Sequence, residues 1–347
     1  MSKIHRLGIL TSGGDCAGLN AAIRAVVHRA IYTYGWTVYG IREANLGLMT
    51  RPLDYQELTL DLFHENLLRM GGTILGTTNK GDPFAFPMPD GTTKDRSAEF
   101  VEGFHMLGLD ALIVIGGDGS LMILDKLCQQ GNLPMVGIPK TIDNDVAGTS
   151  HCIGFDTAVA TAVEAVDRLQ TTGESHDRLM VVEVMGRTVG WLAVCTGIAG
   201  GADALCLPEL PTDFDELAKA VMRHHDAGST SSVVVVAEGA LGGAFLGSPD
   251  GSAGSMVSRE LAQRTGYETR LTVLGHVQRG GPPTASDRLL ATRCGVSAVE
   301  AVHAERFATL VSICDNSAEL VSLNEVASGA RPVPETLLRV ARTMTAW

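Results

Sequence analysis

Two loops that follow short apolar runs carry the residues best suited to chemistry. The first is the Gly-Gly-Asp-Gly-Ser turn at residues 116–120, which follows a branched apolar run at residues 111–115. Glycines let backbone N–H groups approach a phosphate closely, and the start of a helical pattern at residue 121 favours an anion there. Asp118 would supply a hard oxygen ligand for Mg²⁺. The pattern therefore predicts a site for a phosphate and its metal ion.

The second loop, at residues 139–145, follows another short apolar run at residues 135–138. If this loop is extended, the side chains of Thr141, Asp143 and Asp145 point the same way. One carboxylate can then accept a hydroxyl proton while the other orients it or contacts the metal shell. Since ligands bind at the carboxyl ends of strands in open α/β sheets, the two loops together favour phosphoryl transfer.

Each loop alone has a simpler interpretation. Gly-Gly-Asp after a strand is often only a tight turn with an aspartate cap. Asp-Asn-Asp is equally a common turn composition. The functional interpretation therefore depends on the placement of both loops at successive strand ends.

Further residues at the ends of predicted strands suit a sugar phosphate. Guanidinium forks match phosphate oxygens, and one sugar phosphate needs several of them. Glu238 could accept hydrogen bonds from sugar hydroxyls, and His276 could donate to a phosphate. The arginines in such positions are Arg178, Arg187, Arg270 and Arg279. A surface salt bridge or a helix cap is the simpler interpretation of each one.

The elements that must position these residues alternate along the chain. Predicted strands cover residues 4–10, 38–41, 111–115, 135–138, 179–184, 204–207, 232–237 and 269–274. Predicted helices cover residues 19–34, 121–130, 155–170 and 285–303, with others near Trp191, after Asp213 and close to the end of the sequence. Because 347 residues exceed one usual core, the alternation predicts an α/β fold with two lobes, each a mainly parallel sheet flanked by helices.

The composition of the chain limits the kinds of binding partner and the cellular location that we expect. The net charge of -12 argues against nucleic acid or an anionic membrane as a main partner. Seven scattered cysteines without a Cys-x-x-Cys spacing predict reduced thiols. With no signal-peptide core and no membrane-length apolar run, we expect a cytoplasmic protein.

Four long motifs, in family order, resemble those of the 6-phosphofructokinases. They are residues 115–120, 139–145, 184–187 and 274–281, and the resemblance runs from about residue 4 to about residue 303. It implies a phosphofructokinase-like fold. A nucleotide- and Mg-binding lobe would comprise residues 1–154 with 278–328, and a sugar-phosphate lobe residues 155–277 with 329–347. It further implies ATP, Mg²⁺, fructose 6-phosphate and a homo-oligomer, either tetramer or dimer.

The resemblance also implies roles residue by residue. In catalysis, Asp143 takes the hydroxyl proton, Asp145 and Thr141 hold the loop, and Arg187 with the Gly14 amide stabilises developing charge. The implied donor site, in which Asp118 serves Mg²⁺, comprises Gly14, Asn79, Lys80, Gly117, Asp118, Gly119, Ser120 and Lys140. The implied sugar-phosphate site comprises Thr141, Asp143, Arg178, Met185, Gly186, Arg187, Glu238, Arg270, His276 and Arg279. In tetrameric relatives, the residues matching Arg178 and Arg270 come from a neighbouring subunit.

Three positions bear on the phosphoryl donor. Pyrophosphate-using members of the family carry Asp in place of Gly119 and Lys at the position of Lys140, whereas ATP-using members carry Gly at the first position. Aspartate would crowd and repel the α-phosphate of a nucleotide, whereas Gly119 leaves room. Members of the family normally carry an arginine in the loop that contains Lys80, where it reaches the nucleotide phosphates. This chain has no arginine there, and Lys80 could supply the charge but not the planar fork. We predict ATP as the donor, with pyrophosphate as the alternative.

Other protein classes have sequence requirements that this chain does not meet. A dinucleotide oxidoreductase would need G-x-G-x-x-G and a Walker NTPase G-x-x-x-x-G-K-[ST], and neither occurs. A non-catalytic sugar-phosphate sensor would be expected to lose the base or the metal ligand, yet Asp143 and Asp118 are both present. The resemblance to the 6-phosphofructokinases, with these alternatives set aside, implies an ATP-dependent member of that family.

Overall fold

The structure, a computed structural model, describes residues 4–63, 65–249, 251–314, 317–326 and 329–345. Its strands are β1 Arg6–Ser12, β2 Thr37–Ile41, β3 Tyr55–Glu57, β4 Phe86–Pro87, β5 Thr93–Lys94, β6 Ala111–Gly116, β7 Met135–Pro139, β8 Leu179–Val184, β9 Ala204–Cys206, β10 Ser232–Ala237, β11 Thr269–Val273, β12 Thr309–Cys314 and β13 Ser317–Ser322. Its helices are α1 Leu19–Tyr34, α2 Leu46–Met49, α3 Ser97–Leu107, α4 Asp118–Gly131, α5 Phe155–His176, α6 Trp191–Gly200, α7 Phe214–Asp226, α8 Ala253–Thr265, α9 Ala285–His303, α10 Leu323–Val326 and α11 Glu335–Met344. None of the helices in these residues combines the length and the apolar composition needed to cross a membrane.

The chain folds into two compact units, which we call unit 1 and unit 2. Unit 1 comprises Met1–Thr141, Val146–Gly154 and Arg279–Ala330, and unit 2 comprises Ile142–Asp145, Phe155–Gln278 and Arg331–Trp347. This division differs from the expected lobes chiefly by assigning Ile142–Asp145 to unit 2. The second predicted loop therefore begins in one unit and ends in the other.

Unit 1 contains a seven-stranded sheet in the order β13-β12-β7-β6-β1-β2-β3. Its interior strands pair in parallel, and only the two edge strands β3 and β13 are antiparallel to their neighbours. Every residue of β6 is buried, as expected for a parallel strand covered on both faces. α1 and α9 can pack closely because Gly295 has no side chain. A Cβ at this position would lie only 2.7 Å from the carbonyl oxygen of Ala22.

Unit 2 contains a four-stranded parallel sheet in the order β11-β8-β10-β9. Its central strands β8 and β10 are buried along their whole length. One residue of β8 is nevertheless a carboxylate, Glu183, whose Oε2 accepts a hydrogen bond from Gly254 N at 2.6 Å. Gly254 lies in the first turn of α8, where the helix dipole favours a negative charge. This contact fixes α8 on the strand that leads to Met185.

The α/β prediction with two mainly parallel sheets is confirmed. Some differences lie at element ends, and several short elements and the helix α3 were not predicted. α4 begins at Asp118, before the predicted start at residue 121, because Gly117 is an extended N-cap and an acidic residue suits the first turn. α5 continues to His176 instead of ending near residue 170. β12 and β13 follow Phe307, where the sequence pattern is weak.

Candidate active site

In unit 1, three neighbouring strands bring their carboxyl ends into line. Ser12 of β1 is aligned with Gly116 of β6, which is aligned in turn with Pro139 of β7. The turns that follow these strands therefore lie side by side at one edge of the sheet. This is the edge at which ligands bind in open α/β folds. The residues that the sequence analysis predicted to bind a phosphate and a metal ion also lie at this edge.

The turn after β1 admits two cationic side chains because it lacks β-carbons. A Cβ at Gly13, whose φ is 86°, would lie 3.3 Å from Lys140 Nζ, and a Cβ at Gly14 would lie 2.7 Å from Arg279 Nη1. Lys140 Nζ donates a hydrogen bond to Gly14 O at 2.6 Å, and Arg279 Nη1 donates to Asp15 O at 3.1 Å. Two cations beside one glycine turn create a site for an anion.

The first turn of α4 adds polar groups to the same edge. Ser12 Oγ donates to Ser120 Oγ at 3.1 Å. A Cβ at Gly119 would meet nothing within 4 Å, so this face of the helix is open. Ser120 also lines a crevice together with Asn79 and Lys80, two of the residues implied for the donor site. The predicted donor residues therefore lie in one region of unit 1.

A single carboxylate, Asp118, is available for a metal ion in that turn. Within the described residues, no group of three or more acidic, histidine or cysteine side chains could hold a metal alone. Mg²⁺ is usually bound by one or two carboxylates together with substrate phosphates and water. The donor set at Asp118 fits an ion of this kind, which binds together with a polyphosphate.

The loop at residues 139–145 does not have the extended conformation that the sequence predicted. Ile142 and Asp143 form a turn, and Asn144 has a φ of 54° in the left-handed region. The prediction of an extended loop was therefore wrong, and side-chain alternation does not apply to Thr141, Asp143 and Asp145. Asp143 and Asp145 are only 4% and 5% exposed. Two buried carboxylates within three residues are suited to proton transfer.

In unit 2, two side chains hold the turn after β8, one directly after β10 and the other in the short helical segment that follows β11. Gly186 has a φ of 136° and Arg187 a φ of 51°, so neither residue has an ordinary conformation. Glu238 Oε1 accepts hydrogen bonds from Gly186 N at 3.2 Å and Arg187 N at 2.7 Å. Gln278 Oε1 accepts from Met185 N at 2.8 Å. Three consecutive backbone N–H groups are thus fixed, and the Arg187 side chain remains exposed.

This bonding gives Glu238 a role that the sequence did not predict. The expected partner of its carboxylate was a sugar hydroxyl, but Oε1 already accepts from the loop. Gly239, the next residue, permits the close approach, because a Cβ there would lie 1.8 Å from Arg187 O.

The remaining predicted phosphate residues lie on or near the edge strand β11. Glu268 pairs with Arg178 at 3.1 Å and makes a short ion pair with Arg270. The hydrogen bond from Arg178, with the charges of both arginines, lowers the pKa of the Glu268 carboxyl below its ordinary value. His276 follows β11 and is exposed. The turn at Met185 and His276 follow the carboxyl ends of β8 and β11, whereas Arg178 and Arg270 lie at the amino ends of these strands, where Arg270 is aligned with Met180. Within unit 2 the structure therefore does not bring the two arginines together with His276 and Met185.

Two residues that fix these loops were missed by the sequence analysis. Gln278 lies inside a recognised motif, so its neighbours could have indicated it. Arg331 contacts the carbonyl oxygens of Asn144 and Asp145, yet it lies in a segment without periodicity, between Gly329 and Pro332. No sequence signal marks that contact.

Comparisons with known proteins agree with these features. The family model described as phosphofructokinase matches residues 6–302. An ATP-dependent 6-phosphofructokinase 1 from Nostoc sp. is 49% identical over an alignment of 353 residues that covers 99% of this chain and 98% of that protein. A pyrophosphate–fructose 6-phosphate 1-phosphotransferase from Amycolatopsis methanolica is 45% identical, over 95% of this chain and 96% of that protein. The crystal structure of Pichia pastoris phosphofructokinase in the T-state superposes with a TM-score of 0.83 at 35% identity, covering 100% of this chain and 37% of that one.

The geometry of the turn after β8 predicts a local effect of Glu238→Ala. Removing the carboxylate leaves two N–H groups without their acceptor, which costs about 1–3 kcal/mol when such groups stay buried. We expect amide hydrogen exchange at Gly186 and Arg187 to accelerate about tenfold or more. Mass spectrometry or NMR of the purified variant would measure this.

A matched control is Glu209→Ala, because Glu209 Oε1 accepts instead from Gly190 N at 2.7 Å. That variant should loosen Gly190 and leave Arg187 protected. Equal protection of Arg187 in the Glu238 variant and the unaltered protein would refute the bonding scheme.

Proposed function

This chain belongs to the phosphofructokinase family, and from that premise we propose that it transfers the γ-phosphoryl group of ATP to the 1-hydroxyl of fructose 6-phosphate, giving fructose 1,6-bisphosphate. Unit 1 would hold the donor and unit 2 the acceptor sugar phosphate. The loop at residues 139–145 carries the chain from unit 1 into unit 2 and supplies the proposed base.

The observation that carries the donor assignment is the open face at Gly119. Apart from the neighbouring residues and the backbone of α4 itself, no heavy atom of the described residues lies within 4 Å of the position that a Cβ would take there. A nucleotide needs this space for its α-phosphate, and a Gly119 N–H remains accessible to it. Pyrophosphate, which has no further phosphate or base, needs less room. The space beside α4 therefore supports a nucleotide donor.

The phosphates would be held by the glycine turn after β1 and the first turn of α4. Lys140 and Arg279 already donate to the carbonyl oxygens of Gly14 and Asp15, so their charges are fixed before a ligand arrives. Preorganised charge of this kind stabilises a transition state without reorganisation at the moment of reaction. In the proposed scheme the Gly14 N–H contacts the transferred phosphoryl group.

The acceptor would be held at the strand ends of unit 2. We assign the sugar phosphate to His276 together with Arg178 and Arg270 of a neighbouring subunit, as in tetrameric relatives, and the sugar ring to Met185 and Glu238. Glu238 has a second carboxylate oxygen beyond the one that fixes Arg187, so holding the turn and holding a hydroxyl are compatible roles. Arg187 would lie beside the transferred group, where its guanidinium matches phosphoryl oxygens.

The chemical step would begin at Asp143. Its carboxylate accepts the proton of the 1-hydroxyl as that oxygen attacks the γ-phosphorus of ATP. The bond from the γ-phosphorus to the bridging oxygen breaks, and ADP leaves. Arg187 and the Gly14 N–H stabilise the charge that develops on the transferred group. Asp145 and Thr141 would keep the loop in position.

Mg²⁺ is proposed as the accompanying ion, held by Asp118. When bound, it would neutralise charge on the phosphates of the donor. Asp118 supports this assignment because it is half-exposed in the first turn of α4, next to the open face at Gly119.

We also propose a cytoplasmic homo-oligomer, either a tetramer or a dimer. Arg270 lies on the exposed edge strand β11, together with the exposed apolar side chains of Leu271 and Val273. An exposed apolar edge of this kind is typical of a surface that another chain covers.

A pyrophosphate-dependent enzyme is the second candidate. It is favoured by Lys140, the residue type that pyrophosphate-using members carry, which is 4% exposed beside the phosphate turn. The Amycolatopsis relative named for pyrophosphate is also 45% identical. A lysine is a point charge that suits a γ-phosphate as well as pyrophosphate, so it discriminates less than the space at Gly119.

The proposed base predicts the effect of Asp143→Asn. An amide cannot accept the hydroxyl proton, so kcat should fall by about 10²- to 10⁴-fold while fructose 6-phosphate still binds. Steady-state kinetics and calorimetry would measure the two quantities. Asp167→Asn, on the exposed face of α5, is the matched control and should behave as the unaltered enzyme. Near-normal turnover of the Asp143 variant would exclude Asp143 as the base.

The proposed donor predicts different effects of two changes at Gly119. Gly119→Asp should depress kcat/KM for ATP by about tenfold or more, because the carboxylate repels the α-phosphate. Gly119→Ala adds only an uncharged methyl group to this space, so its loss of activity should be smaller than that of the aspartate variant. The measurement is kcat/KM for ATP in each variant. Equal losses in both variants would show that side-chain volume or helix geometry, not charge, is the determinant.

A further inference from the structure

Arg331 begins the last segment of unit 2 and lies outside residues 6–302, which the family model matches. Its backbone N–H donates to Asp145 O at 2.7 Å. Its Nη2 donates to Asn144 O at 2.8 Å. One residue therefore holds two consecutive carbonyl groups of the loop that contains Asp143 and Asp145.

Arg331 also contacts Trp191, the first residue of α6. Trp191 Nε1 donates to Arg331 O at 3.0 Å. The Arg331 guanidinium carbon lies 4.1 Å from the centroid of the Trp191 ring, which is the geometry of a cation–π contact. Trp191 is 7% exposed, and the ring of Phe155 packs edge-on against it at 6.3 Å. Arg331 thus connects the loop to a buried, well-packed aromatic residue.

The loop needs such a support because of its conformation. Asn144 has a φ of 54°, and left-handed residues persist only where the surroundings determine them. Asp143 precedes Asn144 and Asp145 follows it, so a rotation of the backbone at Asn144 would move the carboxylates relative to each other. The carbonyl groups of Asn144 and Asp145 are the groups that Arg331 binds.

We propose that Arg331 is a positioning residue for phosphoryl transfer, which keeps the turn at residues 142–145 in the conformation that directs Asp143 at the acceptor hydroxyl. The proposal rests on the proposed function, in which Asp143 is the base. Arg331 acts through the backbone of Asn144 and Asp145 and needs no contact with either substrate. Its loss should consequently affect turnover more than substrate binding.

The test is Arg331→Ala in the full chain. A displacement of about 1 Å at a catalytic group lowers the rate by about 10²-fold, so we expect kcat to fall about 10- to 100-fold. The KM values for ATP and fructose 6-phosphate should change by less than about threefold, since uniform binding is retained. Guanidinium ion at millimolar concentration should restore part of kcat, because it can occupy the vacated position over Trp191.

Two further variants make the result specific. Arg339→Ala removes an exposed arginine from α11 and should leave kcat unchanged and insensitive to guanidinium. Both Arg331 variants keep the backbone N–H that donates to Asp145 O. Arg331→Lys also keeps a cation but loses the fork, so its kcat should lie between those of the alanine variant and the unaltered enzyme. If the alanine variant does not fold, the lysine variant alone decides the matter by the same split between kcat and KM.

Hydrogen exchange gives a readout independent of activity. The amides of residues 143–146 should exchange faster in the Arg331 variants than in Arg339→Ala. Unchanged kcat in Arg331→Ala would overturn the proposal, as would a loss confined to KM or to thermal stability without guanidinium rescue. An unaltered enzyme inactive with every donor would refute the proposed function itself. An active one with an unaffected Arg331 variant would refute only the positioning role.

Discussion

In the turns at the carboxyl ends of the parallel strands, the backbone N–H and C=O groups no longer pair with a neighbouring strand. In this protein, charged side chains bind several of these groups. Lys140 and Arg279 donate to carbonyl oxygens of the turn after β1, and Glu238 accepts from N–H groups of the turn after β8. Arg331 does the same for the loop at residues 142–145. A buried polar group without a partner is costly, so these turns depend on those contacts.

This requirement connects the fold to its proposed chemistry. A charged side chain that satisfies a backbone group is held in one place, so its charge has a fixed position at the site. Lys140 illustrates the point, since it is 4% exposed and bonded to Gly14 O before any phosphate arrives. Glycines at these turns are necessary because a Cβ at Gly14 or Gly239 would occupy the space that Arg279 or the Arg187 carbonyl now takes.

The sequence predicted the elements well where the pattern is local. Helix α1 and strands β8 and β10 have the predicted bounds, because buried parallel strands and amphipathic helices have clear periodicities. The glycine turns were predicted from motifs. The conformation at Asn144 was not, because the Asp-Asn-Asp stretch was interpreted as part of an extended loop. The bonds from Arg331 to this turn were missed because they join distant parts of the sequence, which no local pattern encodes. The bonds from Glu238 to the Arg187 turn were missed for the same reason.

ATP is the phosphoryl donor that we propose for this member of the phosphofructokinase family. The most direct measurement compares the purified enzyme with ATP, ADP and pyrophosphate at equal Mg²⁺, with fructose 6-phosphate as acceptor and fructose 1,6-bisphosphate as the detected product. If ATP is the donor, kcat/KM for ATP should be at least about tenfold above that for pyrophosphate, a difference of about 1.4 kcal/mol in transition-state stabilisation. Turnover with pyrophosphate but not with ATP would contradict it.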